Sequence, residues 1–156
     1  MVALEPVDAA DPRAQALLTE YFAMRGETFP AGQTYRPVFP AAAVFTPPAG
    51  VFVILVDDDG RDAGCGGIRR VDDGPRGVRY EIKHLYVAPS TRGRGWGRLI
   101  LEDLEERARE LGARELVLDT HHTLEAAGAL YARSGYETIA AYNDNPNATR
   151  WYGKAL

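Results

Sequence analysis

The stretch Val87-Ala88-Pro89-Ser90-Thr91-Arg92-Gly93-Arg94-Gly95-Trp96-Gly97-Arg98 constrains the fold most, because it reads as a strand running through a glycine-rich loop into a helix. Upstream, Tyr80 to Val87 has strand character, with Tyr80, Ile82, His84 and Tyr86 expected on one face and Glu81, Lys83, Leu85 and Val87 on the other. Downstream, Ile100, Leu104, Ala108 and Leu111 recur at helical period, and Gly112 is placed to stop that helix. Glycines remove the Cβ atoms that hold a ligand off the backbone, and the first amides of a helix lack intrahelical partners. Those amides, the positive end of the helix dipole and the guanidiniums of Arg92, Arg94 and Arg98, with no carboxylate among them, predict a pyrophosphate site. The site is local. With 18 Lys and Arg against 22 Asp and Glu the chain carries −4, so no broadly basic nucleic-acid surface is expected.

The 156 residues, 46% hydrophobic and 26% charged, are read as one globular domain spanning 1–156. Asp11-Pro12 opens a helix through roughly Arg25. From Phe29 to Gly50 the Pro, Gly and Ala content predicts an irregular connector that shapes a substrate pocket. Val51 to Val56 and Ala63 to Val71 form a hairpin, and Leu116 to Leu118 a short buried strand. Thr123 is expected to cap a helix through Ser134, and Tyr136 to Tyr142 with Thr149 to Leu156 to close as a hairpin.

Two nucleotide-binding patterns compete for the loop. The Gly-x-Gly-x-Gly at 93, 95 and 97 does not fit the dinucleotide fingerprint, although Asp119 stands near the ribose-binding distance, and no Gly-Lys-Ser or Gly-Lys-Thr closes a P-loop. Arg92-x-x-Gly95-x-Gly97, preceded by Glu81 to Val87 and Pro89, resembles the acetyl-CoA signature of the GNAT superfamily of N-acetyltransferases, and Ala127-x-x-Leu130-Tyr131-x-x-x-Gly135-Tyr136 resembles that family's second signature. The resemblance covers roughly Val51 to Leu156. It implies an α/β fold with a central mixed, mostly antiparallel sheet, splayed at the CoA cleft and flanked by helices.

It further implies acetyl-CoA as cosubstrate and a primary amine of a small molecule, protein or peptide as acceptor. The backbone of Leu85, Tyr86 and Val87 is expected to pair with the pantetheine arm, residues 92–98 to hold the pyrophosphate, and the Leu85 amide to act as oxyanion donor. An amine of pKa near 10.4 costs roughly 4.6 kcal/mol to hold neutral at pH 7, so a base is needed. Glu81 is the candidate, directly or through water, the competing reading being a glutamate paired with Lys83 or an arginine. His84 and Tyr86 are substitutes. Tyr131 matches the family's proton donor to the departing thiolate, against a purely packing role. Leu124 stands where the family often has asparagine, which leaves a pantetheine contact absent or moved to Thr123.

For the acceptor, Tyr21, Phe22, Arg25, Tyr35, Arg36 and Tyr142 are nominated, and the two arginines suit an anionic acceptor. His121 and His122 are expected to point apart at the cleft mouth, without a metal role, and lone Cys65 to be a buried filler in a reducing, cytoplasmic setting. No segment reads as a secretory signal or membrane span. Small members of the family often pair as homodimers, and no surface stripe decides it here. Rival functions are a non-catalytic CoA-sensing module, a nicotinamide-dependent oxidoreductase and an enzyme of the same family that uses a longer acyl chain.

Overall fold

The computed structural model describes residues 1–156 and contains one seven-stranded sheet of β1 (Ala3–Val7), β2 (Gly50–Val56), β3 (Asp62–Gly74), β4 (Gly77–Val87), β5 (Glu115–Thr120), β6 (Glu137–Thr138) and β7 (Arg150–Ala155), in the order β1-β2-β3-β4-β5-β7-β6. β2 (Gly50–Val56), between β1 and β3, carries a continuous apolar run that is buried on both faces. Val51, Val53 and Leu55 face α2 (Trp96–Glu110), while Phe52 and Ile54 face α1 (Pro12–Thr28). The Asp11 side chain caps α1 by accepting from the Arg13 amide at 2.8 Å, ahead of proline at the first turn.

β3 (Asp62–Gly74) and β4 (Gly77–Val87) continue antiparallel from β2. Gly50 lies where β2 enters the sheet, and a Cβ there would fall 2.2 Å from the Ile68 carbonyl oxygen and 2.4 Å from that of Val44. Both are backbone atoms, so nothing flexible can yield. Gly50→Ala is therefore expected to lose about 3 kcal/mol and roughly 10 °C in Tm. A thermal melt within 2 °C of wild type would show that this close approach gives way, at odds with this packing.

β4 meets β5 (Glu115–Thr120) in parallel over only Arg79–Glu115, Tyr80–Leu116 and Glu81–Val117. Beyond Glu81 the two strands part, and the gap between them opens beside α2 and α3 (Glu125–Arg133). On its other edge β5 pairs antiparallel with β7 (Arg150–Ala155). One parallel pair in an otherwise antiparallel sheet agrees with the mixed sheet implied by the signatures, and it is not the parallel sheet of a dinucleotide fold.

One strand was not anticipated, and three expectations are corrected. Ala3–Val7 forms an edge strand, β1, where the unpaired side tolerates Pro6. Of the first half of the closing hairpin, Glu137–Thr138 forms a two-residue strand, β6, against β7, and one further bond follows from the Ile139 amide to the Trp151 carbonyl at 3.0 Å. Thr123 does not cap α3, because its hydroxyl is bound to His121 Nδ1 at 2.8 Å and the N-cap is Leu124. The alternation along β4 also fails: a bulge opposite Gly66 gives His84 a φ of 59° and inverts the faces beyond it. Ile82 thus packs on the α2 side, but Tyr86 joins the α1 side and the His84 ring lies against Phe22 and Phe45, 5.5 and 5.9 Å between centroids.

Candidate active site

From Val87 the chain passes through a single 3-10 turn at Pro89–Thr91 and enters α2 through Gly93 and Gly95, whose φ values of 84° and 77° lie in the left-handed region. From Gly93 to Arg98 no backbone N–H finds an acceptor within the chain. Arg92 Nε donates to the Val87 carbonyl at 3.2 Å, and the Arg94 guanidinium lies 5.1 Å from the Trp96 ring centroid. Neither is paired with a carboxylate. Arg98 departs from expectation, since its Nε meets Glu102 Oε1 at 2.8 Å one turn along α2. The Trp96 ring is buried in the core, which leaves its amide as the group available to a ligand.

Between α1, the connector, the divergent ends of β4 and β5, α3 and the closing turn lies a cavity of about 570 Å³. Leu85 and Tyr131 line it together, with Leu124 and Ala127 beside them. The Tyr131 ring packs 5.9 Å from both Tyr136 and Tyr152, yet its hydroxyl makes no hydrogen bond within the chain. Burial drives its pKa above the usual tyrosine value, so the phenol keeps its proton. Tyr136 is fixed in turn by donating to Glu105 Oε2 at 2.7 Å, an acceptor also held by Lys154.

Glu81 is fully buried, and both of its oxygens are engaged. Arg69 Nε donates to Oε1 at 2.8 Å, the Tyr142 hydroxyl to Oε2 at 2.5 Å and Asn143 Nδ2 to Oε2 at 3.5 Å, with Lys83 Nζ 3.8 Å away. Its geometry is that of the paired glutamate, and it borders a second, smaller hollow with Tyr142, Arg69 and Arg79 instead of the main cavity. Tyr142 is thereby corrected as an acceptor contact. Tyr21, Phe22, Arg25, Tyr35 and Arg36 all line the main cavity.

Residues missed from the sequence complete the wall. Lys83 Nζ donates to Asp119 Oδ1 at 2.9 Å, and Asn143 Nδ2 to Asp119 Oδ2 at 2.7 Å. Burial alone would raise the Asp119 pKa, but Lys83 and the asparagine hydrogen bonds outweigh it and hold the carboxyl below its usual range. Asn143, Asn145 and Asn147 read as plain turn residues, although their every-second spacing was the available signal. His121 and His122 do not point apart: β5 ends before them and their rings stack at 4.4 Å.

Burial, reinforced by the charges of Lys83 and Arg69, pushes the His84 pKa down from 6.5 to about 3. The unfolded chain then binds the extra proton between those values, so stability is complete above pH 6.5 and falls as pH drops through the window. His84→Asn accepts the positive φ and removes the titration. Urea unfolding at pH 7.5 and pH 5 should show the wild type losing about 2 kcal/mol more than this variant. Equal losses would assign the acid sensitivity elsewhere.

The sequence profile described as the acetyltransferase (GNAT) family matches residues 14–136. The chain belongs to the GNAT family. Among GNAT relatives, an uncharacterized N-acetyltransferase of Schizosaccharomyces pombe is 34% identical over 102 residues, 65% of this chain and 61% of that protein. The IAA acetyltransferase of Azospirillum brasilense is 36% identical over 77 residues, 49% of this chain and 48% of that protein. The matched segments thus span about half to three-fifths of these relatives. A Klebsiella pneumoniae crystal structure described as an acyl-CoA N-acyltransferase superposes with a TM-score of 0.79 at 28% identity, covering 100% of this chain and 98% of that one. A GNAT acetyltransferase from Elizabethkingia anophelis, crystallised with acetyl-CoA bound, shares the fold at TM-score 0.66 and 16% identity, with 99% and 98% coverage. No helix of this GNAT chain is long and apolar enough to cross a membrane.

Proposed function

We propose that the chain transfers an acetyl group from acetyl-CoA to a primary amine by direct attack within a ternary complex. The observation that carries this reading is the run of unpaired amides from Gly93 to Arg98 at the head of α2, beside a strand gap that leads to Leu85 and Tyr131. Those amides with Arg92 and Arg94 match a diphosphate in charge and donor count. The backbone of Leu85 to Val87 receives the pantetheine arm along the open edge of β4. The Leu85 N–H then stabilises charge developing on the acyl oxygen, Tyr131 gives its proton to the sulfur as the C–S bond breaks, and the proton shed by the newly acylated nitrogen returns to the phenolate through solvent.

The base expected at Glu81 is replaced in this reading. A carboxylate whose oxygens are held by Arg69, Tyr142 and Asn143 positions the floor between β3, β4 and the closing turn, and the amine arrives neutral from solution. Below the amine pKa, kcat/KM then climbs about tenfold per pH unit. Glu81→Gln lowers kcat/KM without altering that slope; a slope lost in the variant would restore Glu81 as the base.

Calorimetry with acetyl-CoA, followed by thiol release over a panel of amines, tests the whole reading. No heat at millimolar ligand would overturn it, and binding without thiol release for any amine would favour the CoA-sensing module. The buried, unpaired thiol of Cys65 suits the cytoplasm, where we place the protein.

A further inference from the structure

The chain is acidic overall, but the wall of its main cavity is not. Arg25, Arg36, Arg69 and Lys83 line it against the single carboxylate of Asp119. Two of these cations are balanced, Arg69 by Glu81 at 2.8 Å and Lys83 by Asp119 at 2.9 Å. Arg25 and Arg36 have no carboxylate partner. Arg36 lies exposed on the connector, whereas Arg25 is only 5% exposed.

A buried guanidinium without a counter-charge is costly to keep, and its donors demand acceptors. Arg25 Nη2 donates to the Asn147 carbonyl at 3.2 Å and the guanidinium sits 5.0 Å from the Tyr35 ring centroid, but Nε is buried with no partner at all. Asn147 also fixes Arg36: its Nδ2 donates to the Arg36 carbonyl at 2.8 Å, and its Oδ1 accepts from the Arg36 amide at 3.2 Å. One asparagine of the closing turn therefore brings α1 and the connector into a common arrangement with both arginines on the cavity wall.

The surroundings are aromatic. Phe22 packs against Phe39 at 4.8 Å and against Tyr35 at 6.3 Å. We infer that Arg25 and Arg36 form a carboxylate subsite of the acceptor pocket, so that the acceptor is a small amine carrying a carboxylate on an apolar or aromatic body. The planar fork of Arg25 matches two carboxylate oxygens, and the rings take the apolar part. The amine end of this assignment rests on the acetyl-transfer reading, but the anion pocket does not.

The test uses the full chain saturated with CoA. Titration with 3-phenylpropanoate and with 3-phenylpropanamide, which carry no amine, should show the acid binding at least about tenfold tighter. Arg25→Met, which keeps length and bulk, and the exposed Arg36→Gln should each reduce that ratio while CoA affinity stays unchanged. In thiol release, amino acids should exceed their carboxamides in kcat/KM by a similar factor. Equal affinity for acid and amide in the wild type, failure of both probes to bind, or a preference that survives in Arg36→Gln and Arg25→Met would overturn the subsite. A preference for acidic peptides over free acids would overturn the small-molecule assignment. Acid-selective binding with no turnover of any amine would support the subsite and remove acetyl transfer; equal turnover of acids and amides would do the reverse.

Discussion

Gly95→Asp should bind acetyl-CoA about a hundredfold more weakly than wild type while melting close to it. Gly95 has φ 77° and no atom within 4 Å of the position a Cβ would take, and aspartate tolerates that backbone region better than most residues. The cost to the fold is therefore small. The cost to the ligand is not, because the new carboxylate lies at the head of α2 and competes for the amides of Trp96, Gly97 and Arg98. Loss of one or two charge-assisted hydrogen bonds, about 3 kcal/mol, corresponds to that factor. Gly95→Asn supplies the neutral counterpart of the same shape and should stay within several-fold of wild type. Calorimetric titration of the three proteins decides the matter: equal affinity for Asp and Asn would mean that no diphosphate sits at this turn.

The second large effect is on turnover alone. Tyr131→Phe should lower kcat by about two orders of magnitude with acetyl-CoA affinity nearly intact. The ring is retained against Tyr136 and Tyr152, and the hydroxyl that disappears holds nothing else in the chain. Stability should therefore barely change. Because burial keeps this phenol protonated beyond the ordinary tyrosine range, any alkaline fall in wild-type rate near pH 10 belongs to another group. Single-turnover measurement isolates the chemical step, and normal rates for the phenylalanine variant would leave Tyr131 a packing residue.

The glycine turn and the helix that carries Tyr131 were legible in the sequence because their determinants are local. Glycines at positive φ, a proline before the turn and a helical stripe behind it are all read within twenty or so consecutive positions. The β4 bulge was not legible, since Tyr80 to Val87 alternates plausibly in either register and the break depends on its partner strand at Gly66 and Gly67. Glu81 shows the same limit. Its identity and strand were evident, but Tyr142, which occupies one of its oxygens, lies 61 residues away in a loop that favours no particular packing. Asn147 is the extreme case, reaching 122 residues back to Arg25 and 111 to Arg36 through backbone contacts that no composition or period records. β1 escaped notice because an edge strand needs apolar residues on one side only and can carry Pro6.

The three-residue parallel ladder between β4 and β5 makes the sheet mechanically two plates joined by a short seam. One plate carries β1 to β4, the other β5, β7 and β6, and nothing in the backbone zips them beyond Glu81. An extended guest lying in that fork would act as a wedge and a splint at once, and the molecule would gain rigidity across its middle from a ligand held there.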